Sequence, residues 1–419
     1  MNAQTVLAGA AVRAVDVPVG TPMSGFAARD SGSTGVHDPL TVRALALDGI
    51  TLVAVDCCAL HERTCAEVRA AVLDEGLASE LVLHATHTHS GPCLSPERLG
   101  THSPKLHAEV ERAIVEVVRT AAEARVPCTV SYGEAHGAGV ARDRRHLDRT
   151  IDPPVQWVGI DHDGRRLATL VSYPCHPVVL DAANTLISGD FIAPLRDRIE
   201  ARHPGSVCVY ATGAAGDVNT GHSASSSFVA GGAGRTFDEA ERIGGVLADA
   251  VLASPADAVT VTEPRASTAS VRLALEHLDP QTVERDARGW RDELSAGSAR
   301  SALLGEWLRW AAERPAAPEA TWLGRVSVIA CGPLRIVALP GEPFLAAADR
   351  LRACHDGPMI VLGYCDGVPG YLPDEAEYPH GGYEVAEAHR YYGMPAPFAR
   401  GSLERVIAAA GALVEELAG

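Results

Sequence analysis

Apolar residues along this chain recur with two spacings: short runs, unbroken or at every second position, and longer stretches at three- to four-residue intervals. They predict strands and helices in turn. Residues 5–16, 41–47 and 51–55 read as strands, and Asp48-Gly49 between the last two predicts an antiparallel hairpin. Helical spacing over 60–77, closed by Gly76, leads into a short apolar strand at 81–83. A second helix follows over 104–122, with Leu106, Val110, Ile114 and Val118 on one stripe. Strands come next at 127–133, 155–160 and 167–173, then a helix at 192–202 and a strand at 207–212. Residues 276–314 are helical and charged and hold three of the five tryptophans, so they read as a helical hairpin inserted into the strand pattern. The chain returns to strands at 325–330, 334–339 and 359–362 and ends in an amphipathic helix over 402–417. No repeat or linker divides the 419 residues. The alternation predicts a single α/β domain, 1–419, of mixed sheets flanked by helices.

Several of these strands run directly into histidine or carboxylate. Val82-Leu83-His84-Ala85-Thr86-His87-Thr88-His89-Ser90-Gly91-Pro92 carries three histidines before Ser-Gly-Pro stops it. In an extended chain His87 and His89 project to the same side and could both reach one small centre, whereas His84 falls out of phase. The strand at 167–173 ends in Pro174-Cys175-His176, and the strand at 334–339 in Pro340-Gly341-Glu342-Pro343. Asp56 closes 51–55 in the same way. The strand at 207–212 gives way to Gly213-Ala214-Ala215-Gly216-Asp217-Val218-Asn219. That turn lacks the spacing of a phosphate loop and reads as presenting backbone N–H groups and Asp217 to a site. In an open α/β sheet such strand ends would lie along one edge, where these folds keep their sites. Residues 223–235, rich in Ser and Gly, read as a mobile surface loop or a lid, and the Tyr-, Gly-, Pro- and His-rich 364–392 as a long functional loop.

Imidazole nitrogens and a carboxylate oxygen are the protein ligands of a catalytic zinc, which polarises a carbonyl and activates water. His87, His176 and Glu342 would serve as ligands, and His89 as a proton carrier or a donor to the developing oxyanion. Residues so far apart in sequence need not converge, and loop histidines are often satisfied by backbone carbonyls, so spacing alone leaves both readings open. Charge narrows the partners: 53 acidic against 36 basic residues, a net of −17, exclude a nucleic-acid or anionic-membrane surface. No apolar run approaches the ~20 residues that cross a bilayer. The first residues lack the basic start of an export signal, so a cytoplasmic location is expected. The ten cysteines show no CxxC pair, and those in or beside apolar runs read as buried reduced thiols. Ser90 beside His89 lies in no GxSxG elbow and reads as part of a turn.

Taken together, His-Thr-His-Ser-Gly-Pro, Cys-His-Pro at a strand end, Gly-Asp-Val-Asn, Pro-Gly-Glu-Pro-Phe and a tyrosine-rich segment closing in Gly-Tyr-Glu resemble the catalytic domain of the neutral (alkaline, non-lysosomal) ceramidase family. Gly-Thr-Pro-Met-Ser-Gly-Phe-Ala and Gly-Val-His-Asp-Pro-Leu-Thr-Val-Arg-Ala resemble its amino-terminal region, so the likeness covers essentially the whole chain. That family consists of zinc-dependent amidases that cleave an N-acyl bond. The resemblance implies one zinc per chain, held by His87, His176 and Glu342 with Tyr371 as fourth ligand, and a catalytic His89. It implies a contact from Tyr383 to the tetrahedral intermediate, with Tyr371 and Tyr383 preferred to Tyr364 and Tyr378, and an arginine at the site, Arg144 or its neighbours Arg142 and Arg145. Two departures stand out. Asn219 followed by Thr220 replaces the family's serine, which leaves Asn219 to orient substrate or to donate to the oxyanion. The second is length: no counterpart of the family's carboxy-terminal immunoglobulin-like domain is expected.

The expected function is zinc-dependent hydrolysis of an amide, N-acyl or small cyclic, of a soluble metabolite. An esterase or lactonase with the same metal, or a non-catalytic binding homologue, is the alternative. The expected partner is a small molecule, without nucleic acid or stable membrane association, and with room for a homo-oligomer.

Overall fold

The structure, a computed structural model, describes residues 5–315 and 318–418. Three strand–helix–strand units carry the architecture. The first runs Ile50–Val55, Glu62–Asp74, Glu80–Ala85; the second Arg165–Tyr173, Ile192–Arg202, Val207–Thr212; the third Leu334–Ala338, Ala346–Arg352, Met359–Leu362. In each the two strands pair in parallel, which requires a crossover of the kind the intervening helix supplies. Strands covered on both faces need apolar residues at nearly every position, which is why Val207–Thr212 and Glu80–Ala85 read as unbroken runs. Antiparallel strands fill in around them. Val6–Val15 pairs with Leu40–Leu47, which pairs with Ile50–Val55 through a two-residue turn with Asp48 at φ 50°.

The first two units belong to one nine-stranded sheet, and the third to a four-stranded sheet with Arg265–Ala274 and Thr321–Cys331. The expectation of a single sheet edge is therefore corrected: the strand ends that matter leave two sheets. Val82, Leu170 and Val209 of the first share a core with Ile329, Ile336 and Ile360 of the second. The carboxyl ends are stitched together by bridges between His84 and Cys365 and between Gly213 and Leu362. Within the larger sheet Glu80–Ala85 and Val207–Thr212 end the strand order at opposite edges, yet the edges meet. The Thr212 N–H donates to His84 Nε2 at 3.0 Å, and its hydroxyl donates to the Thr86 carbonyl at 2.7 Å. Helices Pro104–Glu123 and Ser402–Glu416 cover the outer faces of the two sheets.

Two elements lie where the pattern gave no expectation. The helix Phe237–Ala253 starts on Thr236, whose hydroxyl accepts from the Glu239 N–H, with Asp238 and Glu239 in its first turn. Its buried stripe, Ala240, Ile243, Leu247 and Val251, has helical spacing, but the Ser/Gly stretch just before it blurs where the period begins. The strand Arg265–Ala274 buries only Val271 and Leu273, too few to show a period of two. Over 276–314 the chain forms helices Pro280–Ser295 and Ser301–Glu313, packed together around Trp290, Trp307 and Trp310. All ten cysteines are free, and nine are buried. Among the described residues no helix is long and apolar enough to cross a membrane.

Asp56, read from sequence as a carboxylate at a strand end, faces inward. Arg196 donates to it twice, at 2.9 and 2.8 Å, and the Thr41 N–H and the Thr86 hydroxyl donate at 3.1 and 3.2 Å. This pair fixes the segment on which the histidine turn rests. Burial would raise the Asp56 pKa, but Arg196 and Thr41 outweigh it and hold the carboxyl below its ordinary value. Its stabilisation is therefore present above the unfolded carboxylate pKa near 4 and is lost as pH falls through the lower folded value. Asp56→Ala leaves the Arg196 charge buried and unpaired and should cost about 3–5 kcal/mol in denaturant unfolding at pH 7. A loss under about 1 kcal/mol there would show that the pair is not structural.

Candidate metal centre

The strand Glu80–Ala85 stops before the histidine pair. His87 has φ 67°, in the left-handed region that a β-carbon disfavours, so the alternation expected for an extended His-Thr-His does not apply. The turn is imposed from outside. The His87 N–H donates to the Cys57 carbonyl at 2.9 Å, and the ring Nδ1 lies 2.6 Å from the Cys58 carbonyl. A carbonyl can only accept, so Nδ1 carries a proton and Nε2 points inward. The rings of His87 and His89 converge all the same, with their Nε2 atoms 3.2 Å apart. His84 stays out of this group: its Nδ1 donates to Gly363 at 3.0 Å while Nε2 accepts from Thr212, and the neutral ring staples the two sheets.

His176 repeats the pattern from a different strand. Its Nδ1 donates to the Ala215 carbonyl at 2.7 Å, with Val218 at 3.1 Å, and its Nε2 lies 2.8 Å from Glu342 Oε2. The same oxygen lies 3.3 Å from His87 Nε2. The glycine-rich turn is thus the wall of the site, where Ala215 orients His176 and Gly216 admits the Glu342 backbone. A β-carbon on Gly216 would sit 2.4 Å from the Glu342 carbonyl oxygen. His87, His176 and Glu342 are completely buried, and their ligand atoms lie within 4.8 Å of one another. Burial raises the Glu342 pKa, but the two imidazoles more than offset it and hold the carboxyl well below its usual range. Burial and Arg144 push His176 down to about 4. At His87 burial is overcome by Glu342, which draws the pKa up to about 10. With both Nδ1 protons committed to carbonyls, the two Nε2 atoms and one carboxylate face a single point to which Glu342 draws positive charge, a proton on His87 or a divalent cation in its place, and the cation fits that donor set.

A second grouping, Cys58 with His87 and His89, shares one imidazole with the first. The His87 nitrogen nearest the Cys58 sulfur is Nδ1, at 3.8 Å, and it already donates to a carbonyl. That hydrogen bond favours the carboxylate set.

Tyrosines close the centre. The Tyr392 hydroxyl donates to Glu342 Oε1, a contact the sequence reading missed; its signal was the Tyr391-Tyr392-Gly393 ending of the irregular loop. Tyr364, with φ 56°, stacks on His87 at 4.3 Å between centroids. Tyr371 pairs its backbone with Glu342 and lies parallel to the His176 ring at 6.3 Å. Arg144 is the arginine of its trio that faces the site: it is buried, 5.2 Å from the centre of the Tyr371 ring, with Nε 2.9 Å from Glu384. Arg145 binds Glu377 and Glu384, and Arg142 is exposed. Tyr383 stands 6.1 Å from Tyr371 and meets Phe228 of the 223–235 segment at 5.2 Å. Asn219 is buried but turned toward its own loop, accepting from the Gly221 and His222 N–H groups and donating to the His222 carbonyl. Asp217 accepts from the Leu345 N–H, and the Ser90 hydroxyl accepts from Asn184.

His89, Arg144, Tyr371, Tyr383 and Tyr392 line a cavity of about 30 Å³, closed by Phe228 and Leu303. That is room for a water or two. The 223–235 segment is held shut by Asp181, whose carboxylate accepts from Gly231 and Gly232, and by Arg235, which donates to the Val178 carbonyl at 2.8 Å.

Two solved structures share this architecture. One, described as a ceramidase complexed with C2, superposes with a TM-score of 0.75 at 16% identity, over 99% of this chain and 75% of that one. The other, the neutral ceramidase from Pseudomonas aeruginosa, gives 0.74 at 17% identity over the same shares. No family model and no curated protein matches the sequence. The chain therefore has a ceramidase-like fold, of mixed α/β class.

Gly25, at φ 98°, packs against His89; a β-carbon there would sit 2.5 Å from the imidazole Cγ. Gly25→Ala should lower stability by about 2 kcal/mol, through both the backbone conformation and the overlap. A denaturant midpoint unchanged from the parent would mean that the His89 ring is not packed there.

Proposed function

We propose that this protein is a zinc-dependent amidohydrolase acting on an N-acyl or small cyclic amide of a soluble metabolite. The observation that carries the reading is the convergence of the donor set: two buried imidazoles, each turned by a backbone carbonyl so that Nε2 faces one buried carboxylate. Nitrogen and carboxylate ligands suit zinc better than the all-oxygen shells of calcium or magnesium. His87, His176 and Glu342 would hold the ion, and Tyr371 is proposed to complete the set. When bound, such an ion polarises a carbonyl and makes water acidic enough to attack it near neutral pH.

The remaining steps belong to the chain. Burial and the neighbouring imidazoles keep His89 well below its ordinary pKa, so it is neutral at pH 7 and able to accept a proton. Its Nε2, facing His87, is where that proton would be held. Arg144 and Tyr383 border the cavity and are placed to stabilise charge on a carbonyl oxygen, where dry surroundings strengthen such donors. Tyr392 steadies the carboxylate from behind. Asn219 is proposed to shape the turn at the site rather than to touch substrate. The ceramidase-like fold favours an amide over an ester.

Metal analysis and turnover separate these roles. His87→Ala and His176→Ala should lose bound zinc together with hydrolysis of N-acyl amides, whereas His89→Ala should retain one equivalent of zinc and lose about a hundredfold or more in kcat. Zinc lost from His89→Ala and kept by His87→Ala would reverse the assignment, and activity indifferent to chelation would end it. Tyr392→Phe should weaken zinc binding about 10–100-fold in a chelator competition, since it removes a partner of a ligand and not the ligand. Unchanged affinity would reduce Tyr392 to packing.

A further inference from the structure

Beside the metal centre lies a groove of about 850 Å³ that shares Leu99 and Tyr391 with the small cavity. Trp310 of the helical hairpin forms part of its wall, and two arginines lie against the tryptophan cluster there. The Arg390 guanidinium stands 4.8, 4.7 and 5.8 Å from the ring centres of Trp290, Trp307 and Trp310. Arg314 lies 5.9 Å from Trp310 and donates only to the Pro395 and Leu278 carbonyls, at 3.2 and 3.3 Å. Among the described residues neither forms an ion pair; Glu387 and Asp286 are the acids nearest in effect to Arg390 but do not reach it. Arg390 Nε, both ring nitrogens of the buried His389 and the Trp307 indole N–H have no hydrogen-bond partner. Of these residues only Arg390 lines the groove, and a buried guanidinium nitrogen without an acceptor is one that a ligand oxygen would satisfy.

Charge on the groove points to the sign of that ligand. Glu62 is paired with Arg98, and Glu306 with Arg309. The acids left over, Glu97, Glu313 and Glu319, are exposed, where water and salt screen them. Arg314 and Arg390 are half-buried against indole faces, where a charge acts through a lower dielectric. The depth of the groove is therefore positive on a chain whose net charge is −17.

We propose that this groove is an anion subsite and that the substrate carries a carboxylate or phosphate at the end remote from the scissile amide, received by Arg390 and Arg314. Its role in turnover rests on the hydrolase reading above; its binding of anions does not. Three of the five tryptophans form the cluster, so intrinsic fluorescence of the full chain reports on it. Glutarate and, separately, inorganic phosphate should each give a saturable change that KCl at equal ionic strength does not, and the tighter of the two identifies the group. Arg390→Gln and Arg314→Gln should each weaken that binding at least tenfold with zinc content unchanged. Arg314, which meets one indole where Arg390 meets three and otherwise donates only to carbonyls, keeps the test open if Arg390→Gln fails to fold. In turnover, amides with the matching terminal anion should exceed their neutral methyl esters in kcat/KM, and the ratio should fall at least tenfold in either variant. Absence of saturation beyond the KCl control, or equal binding by parent and variants, overturns the subsite; equal turnover of charged and neutral amides overturns its part in substrate choice. Anion binding that persists in a protein inactive on every amide supports the subsite and counts against the hydrolase reading alone.

Discussion

A carboxylate without any exposure to water is the constraint on which this structure turns. Glu342 could not remain ionised in the interior unless positive charge or strong donors surrounded it, because the desolvation cost of a bare carboxylate exceeds what a domain of this size has in reserve. The protein answers with two imidazole nitrogens within 3.3 Å and the Tyr392 hydroxyl on the other oxygen. Both imidazoles donate Nδ1–H to backbone carbonyls, which leaves each Nε2 facing the carboxylate, and a divalent cation can bridge all three groups where a single proton on His87 joins only two.

Bringing those residues together shapes the fold around them. The three come from three separate strand–helix–strand units in two sheets, and the curvature that lets opposite edges of the larger sheet meet at Thr212 and His84 is what makes the approach possible. Local cost is accepted at several points, with left-handed backbone at His87 and Tyr364 and a glycine at 216 where the chain must pass close to Glu342. Left-handed non-glycine residues cost about 1–3 kcal/mol each and persist where the surroundings fix them. Here that fixing comes from the Cys57 and Cys58 carbonyls and from the Asp56–Arg196 pair beneath them.

Much of this was legible in the sequence because burial on both faces leaves unbroken apolar runs, and a polar residue ending such a run stands out. His87, His176 and Glu342 were visible on that ground. Their meeting was not, since nothing in a one-dimensional pattern says that two sheets pack end to end, and the reading of one shared sheet edge failed there. Strand alternation does not describe His-Thr-His, because the strand ends at Ala85 and carbonyl contacts from Cys57 and Cys58 take over. Tyr392 and the orientation of Asn219 depend on tertiary contacts inside an irregular loop and a turn, which have no period to read. The helix Phe237–Ala253 follows directly on a glycine-rich stretch, which masks the start of its apolar stripe.

Anomalous diffraction at the zinc absorption edge, from crystals of the protein purified without added chelator, tests the account most directly. The account predicts one peak per chain, bonded to Nε2 of His87, Nε2 of His176 and a carboxylate oxygen of Glu342. No peak at that position after zinc is supplied, or a peak bonded to Cys58 and His89 instead, would contradict it.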